Sequence, residues 1–284
     1  GGFFMKHINK KLIGVLFLSA AGILLFLALQ QWNLYQKGND EYKEIISENT
    51  DGTTTEEKDI PDGTEDFSVD WNSLQSQNPD IVGWIRMDPT VNYPVVKGSD
   101  NSFYLRHGFN RSYNINGCIF MHYLNKNDWT DRNTIVYGHN MNSGAMFGNN
   151  DYYMNQAYAK AHPYFYIYVP EGRYKYKIFD TIVTNDATAP YDITFFSDED
   201  FNNWLAKMSD IKKYGMNAQV ATDDKVVTLS TCTSHGKKRF IIQGVLESYT
   251  DNNGKETSMT ELKEQYRKLQ EQQNQQNTEN EEVK

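Results

Sequence analysis

The sequence is short of cysteine and proline, with two of the first and seven of the second in 284 residues. Two cysteines allow one disulfide at most, which excludes a disulfide-dense scaffold. Scarce proline beside 19 tyrosines suits a β-rich chain better than a disordered one. A basic surplus is also missing. Lys and Arg number 28 against 37 Asp and Glu, a net charge of −9, which argues against a general nucleic-acid binder. Much of the negative charge lies in the flanks, residues 40–70 and 250–284, so the middle is nearer neutral. Internal repeats are absent, and only one apolar run is long enough to cross a bilayer. What remains is 39% hydrophobic and 14% aromatic, enough for one sizeable core with appendages or for two small domains.

The single apolar run, LIGVLFLSAAGILLFLAL at 12–29, carries no charge. At about 1.5 Å per residue it comes close to spanning a ~30 Å hydrocarbon layer. Lys6, Lys10 and Lys11 precede it and acidic residues dominate after Tyr35, so the N-terminus is expected in the cytoplasm and the rest outside. A cleaved signal peptide fits less well, because the run exceeds a usual h-region and is followed by QQWNLYQ, not by small residues. Met5 reads as a natural start, which would set Gly1–Phe4 apart. The expected organisation is a cytoplasmic segment 1–11, a transmembrane anchor 12–30, a flexible extracellular stalk 31–66, a folded domain 67–248 and a polar low-complexity tail 249–284.

Eight runs within the domain read as strands: 83–87, 93–96, 118–123, 134–138, 164–169, 174–184, 225–230 and 239–247. Broken by Gly, Asn and Asp turns, they predict a sandwich or closed barrel. A short helix is expected from Asp70. Residues 198–213 predict a longer one, with Ser197 as N-cap and Phe201, Trp204, Leu205 and Met208 on one face. A further short helix is expected at 151–160.

The stretch TLSTCTSHGKKRF at 228–240 concentrates the chemistry. Its cysteine ends a strand, where a side chain can face a cleft, and Lys237, Lys238 and Arg239 follow. Thiolate nucleophiles need such positive charge nearby. Three plainer readings compete: a Cys118–Cys232 disulfide, two inert thiols, and a zinc site from Cys118, His122, Cys232 and His235. Zinc is disfavoured because side chains four apart on a strand sit about 13 Å apart. Among six histidines, His139 ends the run TIVYGHN at a strand mouth, as Cys232 does, and is favoured as proton partner over His235. His7 lies on the wrong side of the membrane, His162 reads as a loop or helix end, and His107 and His122 read as packing or surface residues.

With His139, Cys232 and Arg239 in that order, the sequence resembles a class B sortase. The resemblance rests on NPDIVGWIRMD at 78–88, YPVVKGSDNSFYLRH at 93–107, NTIVYGHNMNSGAMFG at 133–148, TLSTC at 228–232 and RF at 239–240. The helix at 198–213 resembles the extra helix of class B. The resemblance covers about residues 67–248 and implies a mostly β fold, an eight-stranded sortase-like barrel with an N-terminal helix and an inserted helix before the penultimate strand. It implies a membrane-anchored cysteine transpeptidase that cuts a C-terminal sorting signal of NP-x-T type on secreted proteins. The new carboxyl end would pass to an amine of a peptidoglycan precursor or cross-bridge. Cys232 would be the nucleophile, His139 the acid/base, and Arg239 the oxyanion or substrate clamp. Ser230 and Thr231 would line the site, and Tyr191 and Ile193 the substrate groove. No metal or organic cofactor is demanded, and no nucleic acid is expected as a partner. The chain departs from the class pattern at GCIFMHY, in the short Cys-to-Arg spacing, and in its tail. Two rival functions are a cysteine hydrolase with water as acceptor and a non-catalytic surface module stapled by Cys118–Cys232.

Overall fold

The computed structural model describes residues 10–51, 67–87, 89–185, 189–216, 218–233, 238–265 and 267–268. Ten strands join in one sheet: β1 (Ile81–Met87), β2 (Val91–Val96), β3 (Ile119–Met121), β4 (Asn133–Tyr137), β5 (Tyr164–Val169), β6 (Gly172–Thr184), β7 (Lys212–Gly215), β8 (Val226–Cys232), β9 (Arg239–Asp251) and β10 (Glu256–Ser258). Their order is β10-β9-β8-β4-β3-β2-β1-β5-β6-β7, and β9 also pairs with β6. That last pairing closes eight strands into a barrel and leaves β7 and β10 as additions. Closure pairs the barrel's own edges, and the short strands β7 and β10 remain at the margins. The closing seam is long, running from Gly172↔Asp251 to Thr184↔Arg239. All eight expected runs supply barrel strands.

The barrel is filled by side chains from alternate strand positions, among them Trp84, Val95, Ile119, Val136, Phe165, Ile167, Tyr176, Val227, Leu229 and Ile242. A second cluster lies on the outer face, where Val226, Ile241 and Val245 meet Phe201, Trp204 and Met208 of the inserted helix α4 (Asp198–Ile211). Ser197 caps α4 by accepting from the Asp200 N–H at 3.1 Å, and Asp198, Glu199 and Asp200 favour the positive helix start. Each buried aromatic or Met of that face contributes about 1.5–3 kcal/mol. The helix stops at Ile211, short of the expected 213, because Lys212 turns extended and begins the edge strand β7. The short helix expected from Asp70 is α2 (Trp71–Gln77), and Asp70 caps it. The helix expected at 151–160 divides into a 3-10 turn at Gly148–Met154 and α3 (Gln156–Ala161).

The largest difference from expectation is at the N-terminus. Residues 31–49 were expected within a flexible stalk, but α1 is one helix over Lys10–Asn49. At 1.5 Å rise its 40 residues extend about 60 Å. The N-terminal part is apolar all round and exposed, with Phe17, Leu24 and Trp32 open to solvent, and it alone among the described residues is long and apolar enough to cross a membrane. The C-terminal part docks on the barrel domain. Tyr42 and Ile45 are 2% and 6% exposed and belong to the main core cluster. Residues 52–66, the rest of the expected stalk, lie outside the described residues. The expected tail also begins folded: β10 pairs with β9, and a helical segment from residue 259 carries Lys263 against Asp223 and Asp224.

Candidate active site

β4 and β8 lie side by side and parallel, with Tyr137 opposite Ser230. Both therefore point their C-terminal ends to the same mouth of the barrel, and the chemistry gathers there. Cys232 is the last residue of β8 and Arg239 the first of β9, and they face each other across the hairpin. Arg239 Nη1 donates to Cys232 Sγ at 3.2 Å. The guanidinium stays charged at any relevant pH, so the thiol carries a permanent cation beside it. Thr233 N–H bonds to the Lys238 carbonyl at 2.9 Å and ties the base of the hairpin. His235 and Lys237, between them, lie outside the described residues.

His139 is held from both neighbours. Gly138 N–H donates to the Ser230 carbonyl at 3.2 Å, extending the β4–β8 ladder by one residue. Asn140 Nδ2 donates to the Cys232 carbonyl at 2.9 Å. The histidine between these anchors is thereby fixed at the end of β8. Its Nε2 bonds to the Leu105 carbonyl at 2.7 Å. A carbonyl only accepts, so Nε2 carries the proton and Nδ1 is the nitrogen left to exchange one.

Tyr191, in the segment leading to α4, reaches Ser230 Oγ with its hydroxyl at 2.7 Å. Burial raises its phenol above the ordinary range, while the Ser230 hydroxyl and the Arg239 charge pull it partly back. Asn133 places this segment. Its Nδ2 donates to the Asp192 carbonyl at 2.8 Å and to that of Pro190 at 3.3 Å, and its Oδ1 accepts from Thr228 Oγ1 at 2.7 Å. Trp204 Nε1 donates to the Ala189 carbonyl at 2.8 Å, so α4 braces the segment from outside.

The structure thus brings together His139, Cys232, Arg239, Ser230 and Tyr191. Thr231 does not join them. Strand alternation turns it from the Ser230 and Cys232 face toward the interior face of Val227 and Leu229, and it is 4% exposed. Ile193 lines a separate hollow with Leu124, Arg132, Phe195 and Lys225. Three residues escaped the sequence reading: Asn140, the Leu105 carbonyl, and Tyr137, whose ring stacks on Tyr191 at 6.0 Å and 23°. Asn140 and Tyr137 flank the GH pair in YGHN, which is the signal that could have found them. A backbone carbonyl has none.

The other cysteine is no partner to the first. Both thiols are free, which removes the rival reading of a Cys118–Cys232 staple. Cys118 is buried beneath α1, and burial pushes its thiol up to about 12. Among the described residues, no three His, Cys, Asp or Glu side chains converge as a metal cluster would. His107 stacks on Phe103 and His162 on Tyr158, while His122 Nδ1 accepts the Leu124 N–H, so each has a packing role.

A sortase domain matches residues 86–247. The chain belongs to the sortase family. It is 35% identical over 177 residues to sortase B of Listeria monocytogenes, an alignment covering 61% of this chain and 72% of that protein. The solved sortase B of Bacillus anthracis in complex with AAEK1 superimposes with a TM-score of 0.64 at 28% identity, over 76% of this chain and 98% of the other. A Staphylococcus aureus sortase B–substrate complex gives 0.59 at 29% identity, over 62% and 84%. These likenesses set the sortase within class B, a group of cysteine transpeptidases.

Proposed function

We propose that the protein is a membrane-anchored transpeptidase for NP-x-T-type sorting signals, with Cys232 as nucleophile, His139 as acid/base and Arg239 as oxyanion clamp. The observation that carries this is the Arg239 Nη1–Cys232 Sγ contact of 3.2 Å at the mouth where His139 is tethered to the same strand. The Cys232 thiol passes its proton to His139 Nδ1, and the resulting thiolate attacks the Thr carbonyl carbon, forming the S–C bond and placing the negative charge on oxygen. Arg239, already beside the sulfur, donates to that oxyanion. His139 protonates the leaving amine from Nδ1 as the C–N bond breaks, while Leu105 steadies the opposite nitrogen. An incoming amine gives its proton back to Nδ1, attacks the thioester and expels the thiolate. Neither step needs a redox partner. The hydrogen bond of Tyr191 to Ser230, on the same face of β8 as Cys232, supports a role for Tyr191 in holding the signal.

Anchoring is supported by the exposed apolar surface of α1, and the lysines ahead of it support a cytoplasmic N-terminus. The domain would then act on the outer face on secreted proteins, with a peptidoglycan precursor or cross-bridge amine as acceptor. Incubation with an NP-x-T peptide followed by intact mass measurement tests the reading. An acyl fragment on Cys232, released by an added amine as the amide product, is the expected result. Release only as the free acid, with amine present, would make the protein a hydrolase. A folded Cys232→Ala protein with full turnover would refute the nucleophile.

A further inference from the structure

The Leu105 carbonyl that receives His139 belongs to a loop, residues 103–118, clamped on its far side by α1. Four contacts make the clamp. Tyr42 hydroxyl donates to the Gly117 carbonyl at 2.6 Å. Asn114 Nδ2 donates to Glu41 Oε2 at 2.8 Å and to the Gly38 carbonyl at 3.3 Å. Asn116 Nδ2 donates to Asn39 Oδ1 at 2.8 Å. Gly38 and Tyr42 are buried, and Glu41 is half-buried, so these bonds are shielded from water.

Inside the loop, Gly117 joins the clamp to the histidine. It adopts φ +61°, and a Cβ built on it would lie 2.6 Å from the Tyr104 carbonyl oxygen and 2.9 Å from that of Leu105. The backbone that Tyr42 grips is therefore packed directly on the carbonyl that His139 uses. Cys118 N–H and Asn114 N–H add bonds to the Tyr104 and Arg106 carbonyls at 2.9 Å each, on either side of Leu105. Leu105 cannot shift without moving Gly117, and Gly117 is fixed by α1.

We infer that the C-terminal part of α1 is a positioning element for His139, acting from Tyr42 through Gly117 to the Leu105 carbonyl. The helix that leaves the apolar segment thereby sets the tautomer and tilt of the imidazole. Tyr42 and Gly117 are positioning residues, since neither touches a reacting atom. The inference rests on His139 as the acid/base only for its effect on rate. The effect on the ring stands by itself.

The test uses the full chain in detergent micelles, comparing wild type with Tyr42→Phe, Gly117→Ala and the exposed control Glu44→Gln. The imidazole ¹⁵N resonances of His139, assigned by their loss in His139→Gln, report which nitrogen is protonated. His162, outside the loop, serves as the reference. Expected is a single Nε2–H form in wild type and Glu44→Gln, and a mixture of tautomers in Tyr42→Phe, with His162 unchanged. Acylation of Cys232 by an NP-x-T peptide should slow about fivefold in Tyr42→Phe, the effect of losing one ordinary hydrogen bond. Gly117→Ala should show the larger change where it folds. Tyr42→Phe alone decides the case where it does not. An unchanged His139 signature in folded Tyr42→Phe overturns the inference. A shifted signature in a protein whose wild type acylates with no sorting peptide supports the positioning and sinks the functional reading instead.

Discussion

Replacing Arg239 separates two jobs that its position allows. At 3.2 Å from Sγ, a guanidinium attracts a thiolate by about 5 kcal/mol at an effective dielectric of ~20, and by about 1 kcal/mol at the dielectric of water. Both side chains are half-buried, so the attraction falls between these limits. The oxyanion of the tetrahedral intermediate forms two bonds from the sulfur, within reach of the same fork. Losing one such donor costs about 10²–10³ in rate, or about 3–4 kcal/mol. Arg239→Ala should therefore acylate about 10²–10³ more slowly, measured by quenched-flow with intact mass. Arg239→Lys keeps the charge without the planar fork and should recover part of the loss. Alkylation by iodoacetamide reads the thiolate alone, because no oxyanion forms. Alkylation that falls less than acylation assigns the remainder to the oxyanion. Arg239→Ala that folds and acylates within about threefold of wild type would refute both roles.

Asn133→Ala leaves Thr228 without its acceptor and frees the Pro190 and Asp192 carbonyls, so it should lower stability by about 2–3 kcal/mol and raise KM as Tyr191 loosens. Denaturant titration with steady-state kinetics checks this, and an unchanged KM would detach Asn133 from the site. Cys118, held up to about 12 by burial, should resist alkylation in the native chain. One reactive thiol should be counted under native conditions and two in denaturant; two fast native thiols would contradict the packing beneath α1. Asp180 on β6 is pushed up to about 7 by burial, against the pull of Lys212. An acid raised in the fold is destabilising once the unfolded chain ionises, so its penalty grows from about pH 4 to pH 7 and then levels. Asp180→Asn should gain about 2 kcal/mol more at pH 8 than at pH 4, after allowance for solvent contact, and equal gains would refute the assignment.

The barrel was legible because its strands are apolar, short and cleanly punctuated. The gathering of Cys232, His139 and Arg239 at one mouth was legible for a related reason: each sits where an apolar run meets a polar turn, which marks a strand mouth. What sequence could not supply is the parallel pairing of β4 with β8. That long-range choice sets His139 beside Cys232, although 93 residues separate them. Thr231 shows the opposite error. It lies inside the TLSTC motif and was placed in the site by adjacency, but a period of two sends neighbours to opposite faces. Edge strands β7 and β10 escaped because KKYG and ETS carry no apolar pattern, and edge pairing requires none.

The N-terminal helix was misjudged for a different physical reason. The stretch after Tyr35 is polar and charged, which reads as a solvated linker when composition is averaged. Its buried residues, Gly38, Tyr42, Ile45 and Asn49, nevertheless recur at intervals of four, three and four, the stripe of one helix face. The stripe is hard to see because only two of the four are apolar. Gly38 is there because Asn114 fills the space a side chain would need; a Cβ at Gly38 would lie 2.4 Å from Asn114 Oδ1. Asn49 is there because its carbonyl accepts from the Asp70 N–H at 2.9 Å and its Oδ1 from Gln77 Nε2 of α2 at 3.5 Å. Docking through small and polar residues leaves little hydrophobic signal, yet it fixes orientation, because each hydrogen bond is satisfied in one register only. A greasy interface of equal area would tolerate sliding by a turn. For a domain whose histidine is steadied from the far side of loop 103–118, a single register is the property that matters.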